Sequence, residues 1–489
     1  MKRKKLFLIT MLLLALAAAG TVRADESTAE AVTVPEAEHP GEAAEDADRT
    51  SAEQQGGEDA ADAQEPAGEG LILRIVTYDT KLIELVDSYV PGYEAVDATH
   101  GRFVSEDGET EVIWTVIPDP DVLYQNYLDE VLYSNSGYLP DDRIDLFAAD
   151  AGFVRKYAVL EKDVTLPLTQ LGITEEELSE QFPYTVDLAR DGDGTPRGIS
   201  YETRAGVMMY RRSIAETVFG SVRHEVVQTF FENPDALLTA AEELGGYDIM
   251  LAATAEELYP VYDSMRTTPW VTDRTVSIDP ALERWARDCR RMIDEGQMTA
   301  GENGGGAWQK GLKGSKSVFC YFGPESFIEE ETYAEEEKSV AASGGWACAD
   351  GPAAFYEGGT WLMAANGTDN PTLDALIMRT LCCNTDVMRA MAHSGVTVNN
   401  VAVLSGLSAD TEASSAVLGG QNIYGLLIDQ ARALSAGTAG PYDGVCKRYF
   451  TSAMADYFNN KMTYEEAADV FGTLMKSRFS EFKFERGTE

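Results

Sequence analysis

Four of the six tryptophans stand where the chain turns. Trp270 follows Thr268-Pro269, Trp308 follows Gly306-Ala307, Trp346 follows Gly345, and Trp361 follows Gly359-Thr360. Aromatic rings carried at the ends of elements are available to line a cleft. Rings of this kind near Asp, Glu, Asn and Arg suit a sugar. Its C–H face stacks on an aromatic plane and its hydroxyls take hydrogen bonds. Any one such tryptophan can equally be packed in a core; four together point to a ligand site. Trp114, inside a strand-like run, and Trp285, on the apolar face of a helix-like one, read as core.

Other chemistry is absent or weak. The sequence has no GxSxG, HExxH or P-loop pattern and only four histidines, so no catalytic or metal motif stands out. Asp191, Asp193, Thr195 and Glu202 fall at positions 1, 3, 5 and 12 of a calcium-loop register. Pro196 stands where that loop needs its glycine, so a tight turn is the preferred reading. With 82 acidic residues in the chain, proximity of two carboxylates in sequence carries no information. A pair flanking a glycosidic bond stays open as an alternative. The six cysteines (Cys289, Cys320, Cys348, Cys382, Cys383, Cys446) are scattered without a CxxC and read as free buried thiols.

The chain has 489 residues, room for two or three globular units, and a formal net charge of −43. Residues 1–24 carry +5 and residues 25–70 carry −14, which leaves −34 on the rest. A body this acidic repels nucleic acid and anionic lipid. Lys2 to Lys5 followed by the apolar run Leu6 to Gly20 and by Val22-Arg23-Ala24 form a secretory signal peptide over 1–24. Residues 25–70 have one base, no aromatic residue and too little apolar surface to fold, so they read as an acidic disordered linker.

From Leu71 the apolar spacing alternates between periods of 2 and 3.6. Leu71–Val76, Val112–Ile117 and Ile144–Phe147 read as strands, and Lys81–Tyr89 and Asp121–Leu132 as helices. This β-α-β-α-β order indicates an α/β fold with a mainly parallel sheet. Further on, Ser317–Phe322 and Gly359–Ala364 read as strands. Pro280–Ile293 reads as a helix, with Leu282, Trp285, Cys289 and Met292 on one face.

Several ordered segments resemble the extracellular solute-binding proteins of carbohydrate ABC transporters, the large two-lobed, maltose-binding-type class. They are Asp145-Leu146-Phe147-Ala148-Ala149-Asp150-Ala151-Gly152-Phe153-Val154, Gly198–Thr203 with Gly206–Arg211, and Ile278-Asp279-Pro280-Ala281 after Arg266–Trp270. Phe319–Pro324, Gly351–Trp361 with its Gly-Gly-Thr-Trp, Asn399-Asn400 and Gly419–Asn422 complete the likeness, which spans about 71–475. The resemblance implies a two-lobed periplasmic-binding-protein-like fold, each lobe a mainly parallel sheet flanked by helices, with a hinge between. Lobe 1 would comprise 71–195 and 345–400, and lobe 2 would comprise 196–344 and 401–489. It implies no enzyme activity and no cofactor. The partners would be a carbohydrate ligand and the permease subunits of an importer, with no nucleic acid, and the receptor would be an exported monomer.

Resemblance and loop placement together nominate the ligand contacts. Tyr201, Trp270, Tyr356 and Trp361 would give apolar faces, and Asp150, Glu202 and Arg266 hydrogen bonds. Tyr78, Trp308, Tyr321 and Glu357 would complete the wall. The chain departs from the family twice. No lipobox cysteine precedes Cys289, which argues against a lipid anchor, and Glu357 stands where relatives carry an aromatic residue. With the body at −34, an added carboxylate favours a neutral or amino-bearing saccharide over an acidic one. Glu357 would either contact hydroxyl or ammonium hydrogens of that ligand directly or pair with Arg266 or another base and shape the lobe surface.

Overall fold

The computed structural model describes residues 70–105, 108–312, 317–324, 340, 341 and 343–486. The signal peptide expected over 1–24 lies outside them, as does the linker apart from Gly70.

The apolar run after Leu71 forms β1 (Ile72–Thr77), with Leu73, Ile75 and Val76 fully buried. β4 (Gly108–Val116) and β5 (Leu146–Asp150) flank it, both parallel to it. The helix Lys81–Tyr89 buries Leu82, Leu85 and Val86, and the helix Leu123–Tyr133 buries Tyr124, Leu128 and Leu132, as the 3.6 spacing requires. Two strands not anticipated from the sequence, β2 (Tyr93–Ala95) and β3 (His100–Ser105), extend the sheet antiparallel beyond β4. On the other side β12 (Thr360–Ala364) pairs antiparallel with β5 and with β6 (Ile199–Ser200). The seven-stranded order is β2-β3-β4-β1-β5-β12-β6.

The lobe is α/β as expected, but its sheet is mixed rather than mainly parallel. β6 leaves the lobe beside the returning β12. A strand that returns from a neighbouring lobe needs no crossover helix and can pair antiparallel.

In the second lobe β7 (Gly206–Arg211) lies between β10 (Cys320–Pro324) and β11 (Trp346–Ala349), antiparallel to both. Beside this three-stranded sheet the pairing is parallel. Met250 N–H donates to Ser317 O and Cys320 N–H to Leu251 O, each at 2.9 Å. β8 (Val271–Thr272), β9 (Thr275–Ser277) and β13 (Lys483–Glu485) make a small separate sheet. The helix Pro280–Asp294 is capped by Asp279 and buries Leu282, Trp285, Cys289 and Met292, the face read from the sequence. The helices Asp443–Phe458 and Tyr464–Arg478 pack beside it, the second opened by a Thr463–Glu466 capping box.

Several segments cross between the lobes, and three of them run beside the hinge. Ala205 belongs to the first core and Met208 to the second; Phe355 belongs to the second and Trp361 to the first. Leu434, Ala436 and Ala439 rest on the first core, and Tyr442 on the second. The first two crossings run side by side, with Gly206 N–H donating to Phe355 O at 2.7 Å and Glu357 N–H to Arg204 O at 3.1 Å. A Cβ on Gly206 would lie 2.1 Å from the Phe355 ring, so only glycine admits this approach. The helix Val401–Ala409 sends Val403, Leu404 and Leu407 into the first core, although 401–489 was expected in the second lobe.

None of the six cysteines forms a disulfide among the described residues; five are buried and Cys383 is half-buried. The Asp191 loop is a turn. Asp191 Oδ1 accepts the N–H groups of Asp193 and Thr195, and Oδ2 accepts Arg197 Nε at 3.0 Å. Both oxygens face donors, which is the opposite of a cation site. Among the described residues no helix is long and apolar enough to cross a membrane.

Candidate functional site

A cavity of about 240 Å³ opens between the lobes beside the crossing segments. The first lobe supplies the end of β5 and its following turn, with Asp150, Gly152, Phe153 and Arg155, together with Asp121. The hinge supplies Tyr356, Glu357 and Gly358. The second lobe supplies Tyr259, Asp263 and Trp270, and the start of the helix Asp443–Phe458 with Asp443, Lys447 and Arg448. The carboxyl end of a central parallel strand meets this cavity at Asp150, the place where open α/β sheets hold ligands.

Charge is concentrated in the cavity wall. Burial raises Asp150 to about 6, with Asp121 adding to the shift, while Gly152 N–H, donating to Oδ1 at 2.8 Å, opposes it. Burial likewise raises Asp443 to about 6 against the pull of Arg266. Lys447 projects into the cleft over the Tyr259 ring, 5.6 Å from its centroid. Confinement by the walls pulls its pKa down, but Glu357, Asp150, Asp263 and Asp121 outweigh that and raise it. One ammonium therefore stands among four carboxylates.

Four nominated residues line this cavity: Asp150, Trp270, Tyr356 and Glu357. Trp270 is 1 % exposed, wedged between Phe450 and Phe471 with centroids at 5.2 and 5.3 Å, so only an edge of it reaches the cavity. Arg266 stands behind the wall. Its Nε lies 2.8 Å from Asp263, its Nη2 2.7 Å from Asp443, and its Nη1 donates to Thr438 O at 3.3 Å. It ties the third crossing segment to the second lobe instead of facing the cavity.

The others are placed elsewhere. Tyr78, Tyr201 and Glu202 gather at the end of β1, where Tyr78 hydrogen-bonds Thr360 at 2.7 Å and Glu202 pairs with Lys81 at 3.0 Å. Trp361 is core in β12, its indole donating to Thr185 O at 2.8 Å. Trp308 and Tyr321 are core in the second lobe, edge-to-face at 5.6 Å, and Trp346 packs on Tyr321 at 5.9 Å. Beneath them Glu257 accepts the Trp308 indole N–H and Phe322 N–H. Glycine beside these tryptophans does mark element ends. The ends lie inside packed sheets and helices, so the rings turn inward.

The sequence reading missed Tyr259, Asp263, Asp443 and Lys447. The Gly440-Pro441 break before a helix containing both Asp443 and Lys447 was the one available signal.

The sequence profile of bacterial extracellular solute-binding proteins matches residues 125–416, which is more than half of the chain. The chain belongs to this family. No curated protein matches it by sequence. Solved solute-binding proteins share its fold. A family 1 extracellular solute-binding protein aligns at TM-score 0.65 and 14% identity over 83% of this chain and 100% of that chain. The transporter-associated binding protein of B. animalis subsp. lactis Bl-04, in complex with beta-1,6-galactobiose, aligns at 0.60 and 13% over 85% and 99%. The galacto-N-biose-/lacto-N-biose I-binding protein of Bifidobacterium longum, in complex with lacto-N-biose, aligns at 0.57 and 12% over 85% and 97%. The two-lobed solute-binding architecture expected from the sequence is therefore the architecture of this chain.

Proposed function

We propose that this solute-binding protein is the receptor of an ABC importer, that it holds a neutral saccharide in the interlobe cavity, and that it delivers the sugar to the permease without chemical change. The observation that carries the reading is the cavity wall itself. Aromatic surface from Tyr259, Trp270 and Tyr356 adjoins hydrogen-bonding carboxylates whose counter-cation, Lys447, is built in. A uronic acid would meet those carboxylates, and an amino sugar would compete with Lys447; a neutral sugar needs neither arrangement to change. The sugar complexes of two structural neighbours point the same way. Arg266 is committed to Asp263 and Asp443, and the base that faces Glu357 is Lys447, so in this reading Glu357 meets Lys447 and offers its remaining acceptor capacity to ligand hydroxyls.

In this reading lobe 1 comprises about 71–203, 358–409 and 428–439, and lobe 2 about 207–354, 417–427 and 443–486. The signal peptide exports the protein as a monomer, and the linker tethers or releases it without lipidation. Membership in a transport family favours this reading over a secreted hydrolase. The test is a panel of neutral, amino and acidic saccharides followed by thermal shift, calorimetry and product analysis. Neutral sugars recovered intact with a raised Tm support it. Hydrolysis, or preference for a uronic acid, overturns it.

A further inference from the structure

Gly152 ends the turn after β5 in the first lobe, and Gly444 opens the helix Asp443–Phe458 in the second. Neither lies in the left-handed region, so conformation does not call for glycine at either position. Close approach does. Gly444 N–H donates to Gly152 O at 3.0 Å, backbone on backbone across the lobes. A Cβ on Gly444 would stand 2.7 Å from the Phe153 ring and 2.9 Å from the Gly152 carbonyl oxygen. A Cβ on Gly152 would stand 3.3 Å from the Gly444 Cα, a milder intrusion.

The contact bears on the cavity because of what shares the helix. Lys447 lies three residues beyond Gly444, on the same face of the helix. The separation at the glycines therefore sets how near its ammonium comes to Asp150 and Asp121 of the opposite lobe. Arg448 makes a second tie, with Nη1 donating to Asp121 O at 3.2 Å.

We infer that Gly152 and Gly444 are positioning residues that set the spacing of the two lobes beside the cavity, and through it the strength with which the cleft holds its solute. The inference rests on the reading that the solute is captured between the lobes. Any side chain at either position acts as a wedge. It lengthens the backbone hydrogen bond, withdraws Lys447 from the first lobe's carboxylates and widens the cleft. The Phe153 ring takes most of the intrusion from position 444, whereas at position 152 the Asp150 Oδ1 of the same lobe and the facing Gly444 Cα, both at 3.3 Å, share it.

Small-angle X-ray scattering of the protein without added sugar tests this on wild type, Gly152→Ala and Gly444→Ala, with circular dichroism and thermal melts to establish folding. The expected result is a shift to a larger radius of gyration, greater for Gly444→Ala than for Gly152→Ala. Adding Phe153→Ala to Gly444→Ala should reverse it in part. Folded variants whose scattering superposes on wild type overturn the inference, and if Gly444→Ala does not fold, Gly152→Ala alone decides. The scattering needs no ligand, so a failed saccharide panel and failed lobe spacing are separate results. Calorimetry with whichever panel sugar the wild type binds should then show weaker binding by at least about fivefold, a loss near 1 kcal/mol.

Discussion

The surroundings of Glu257 and the interlobe cavity are built from the same residue types and do opposite work. At Glu257, Trp308, Tyr321 and Phe322 enclose a carboxyl group whose two oxygens are taken by internal N–H donors. Burial raises its pKa to about 8. In the cavity, Tyr259, Trp270 and Tyr356 stand beside Asp150, Asp263 and Glu357, and the charged groups face one another across open space. Aromatic rings with acids do not distinguish core from site. What distinguishes them is whether every acceptor is already used. Both oxygens of Glu257 are engaged, whereas Asp150 and Asp263 have one oxygen each engaged, by Gly152 N–H and by Arg266 with the Tyr259 hydroxyl. A carboxyl group satisfied from within fixes a fold, and one left facing a cavity between movable bodies is available to a ligand.

The comparison can be broken by substitution. Trp308→Ala should show the largest effect, a loss of about 3–5 kcal/mol in stability as expected for a buried tryptophan. The folded fraction should keep its saccharide affinity. Chemical denaturation with calorimetry at low temperature checks both, and a selective loss of affinity would place Trp308 in the site. Tyr356→Ala should do the reverse. Binding should weaken by about 2 kcal/mol, roughly thirtyfold, with a small change in Tm. Normal binding by this variant would remove the hinge from the ligand wall. Lys447→Met strips the built-in cation from the carboxylates. Neutral sugars should weaken about tenfold, near 1.4 kcal/mol, while an amino sugar gains. Equal losses for both classes would contradict the counter-cation argument.

A pH titration gives a smaller but sharper test. The folded pKa of Asp150, about 6, lies above its ordinary value, so the folded state holds a proton that the unfolded state releases. This contribution is complete below about pH 4 and is lost as pH rises through 6, so stability falls across that window. Asp150→Asn should flatten that part of the Tm profile relative to wild type; an unchanged slope would show that Asp150 is not buried as described. The smallest effect is expected from deleting residues 25–69, which should leave affinity within about twofold because a polar linker contributes no packed surface. A larger loss would place the linker at the cleft.

Much of the fold was legible because local pattern decides it. The helix Lys81–Tyr89 has the bounds its spacing gave, and Pro280–Asp294 buries the four residues read as its apolar face. β2 and β3 were not legible, since β2 is only three residues long, neither strand carries a strict apolar–polar alternation, and the strand that holds β3 in the sheet, β4, comes later in the chain. Of the eleven nominated ligand residues, Asp150, Trp270, Tyr356 and Glu357 reach the cavity, and all four sit at strand ends or crossings. Trp308, Tyr321 and Trp361 do not, because the residue type at or near the end of a helix or strand carries no record of which way its side chain faces.

The sequence by itself determined the alternation of strand and helix, the acidic body and the family. These follow from composition and near-neighbour spacing, which the chain carries wherever it goes. Tertiary structure alone decided that Arg266 braces the hinge instead of meeting ligand, that Lys447 stands among carboxylates from both lobes, and that Gly152 touches Gly444. Each depends on segments about 180 to 300 residues apart being brought within a few ångströms. That proximity is set by how separately packed cores are joined through several crossings, and no local periodicity encodes it.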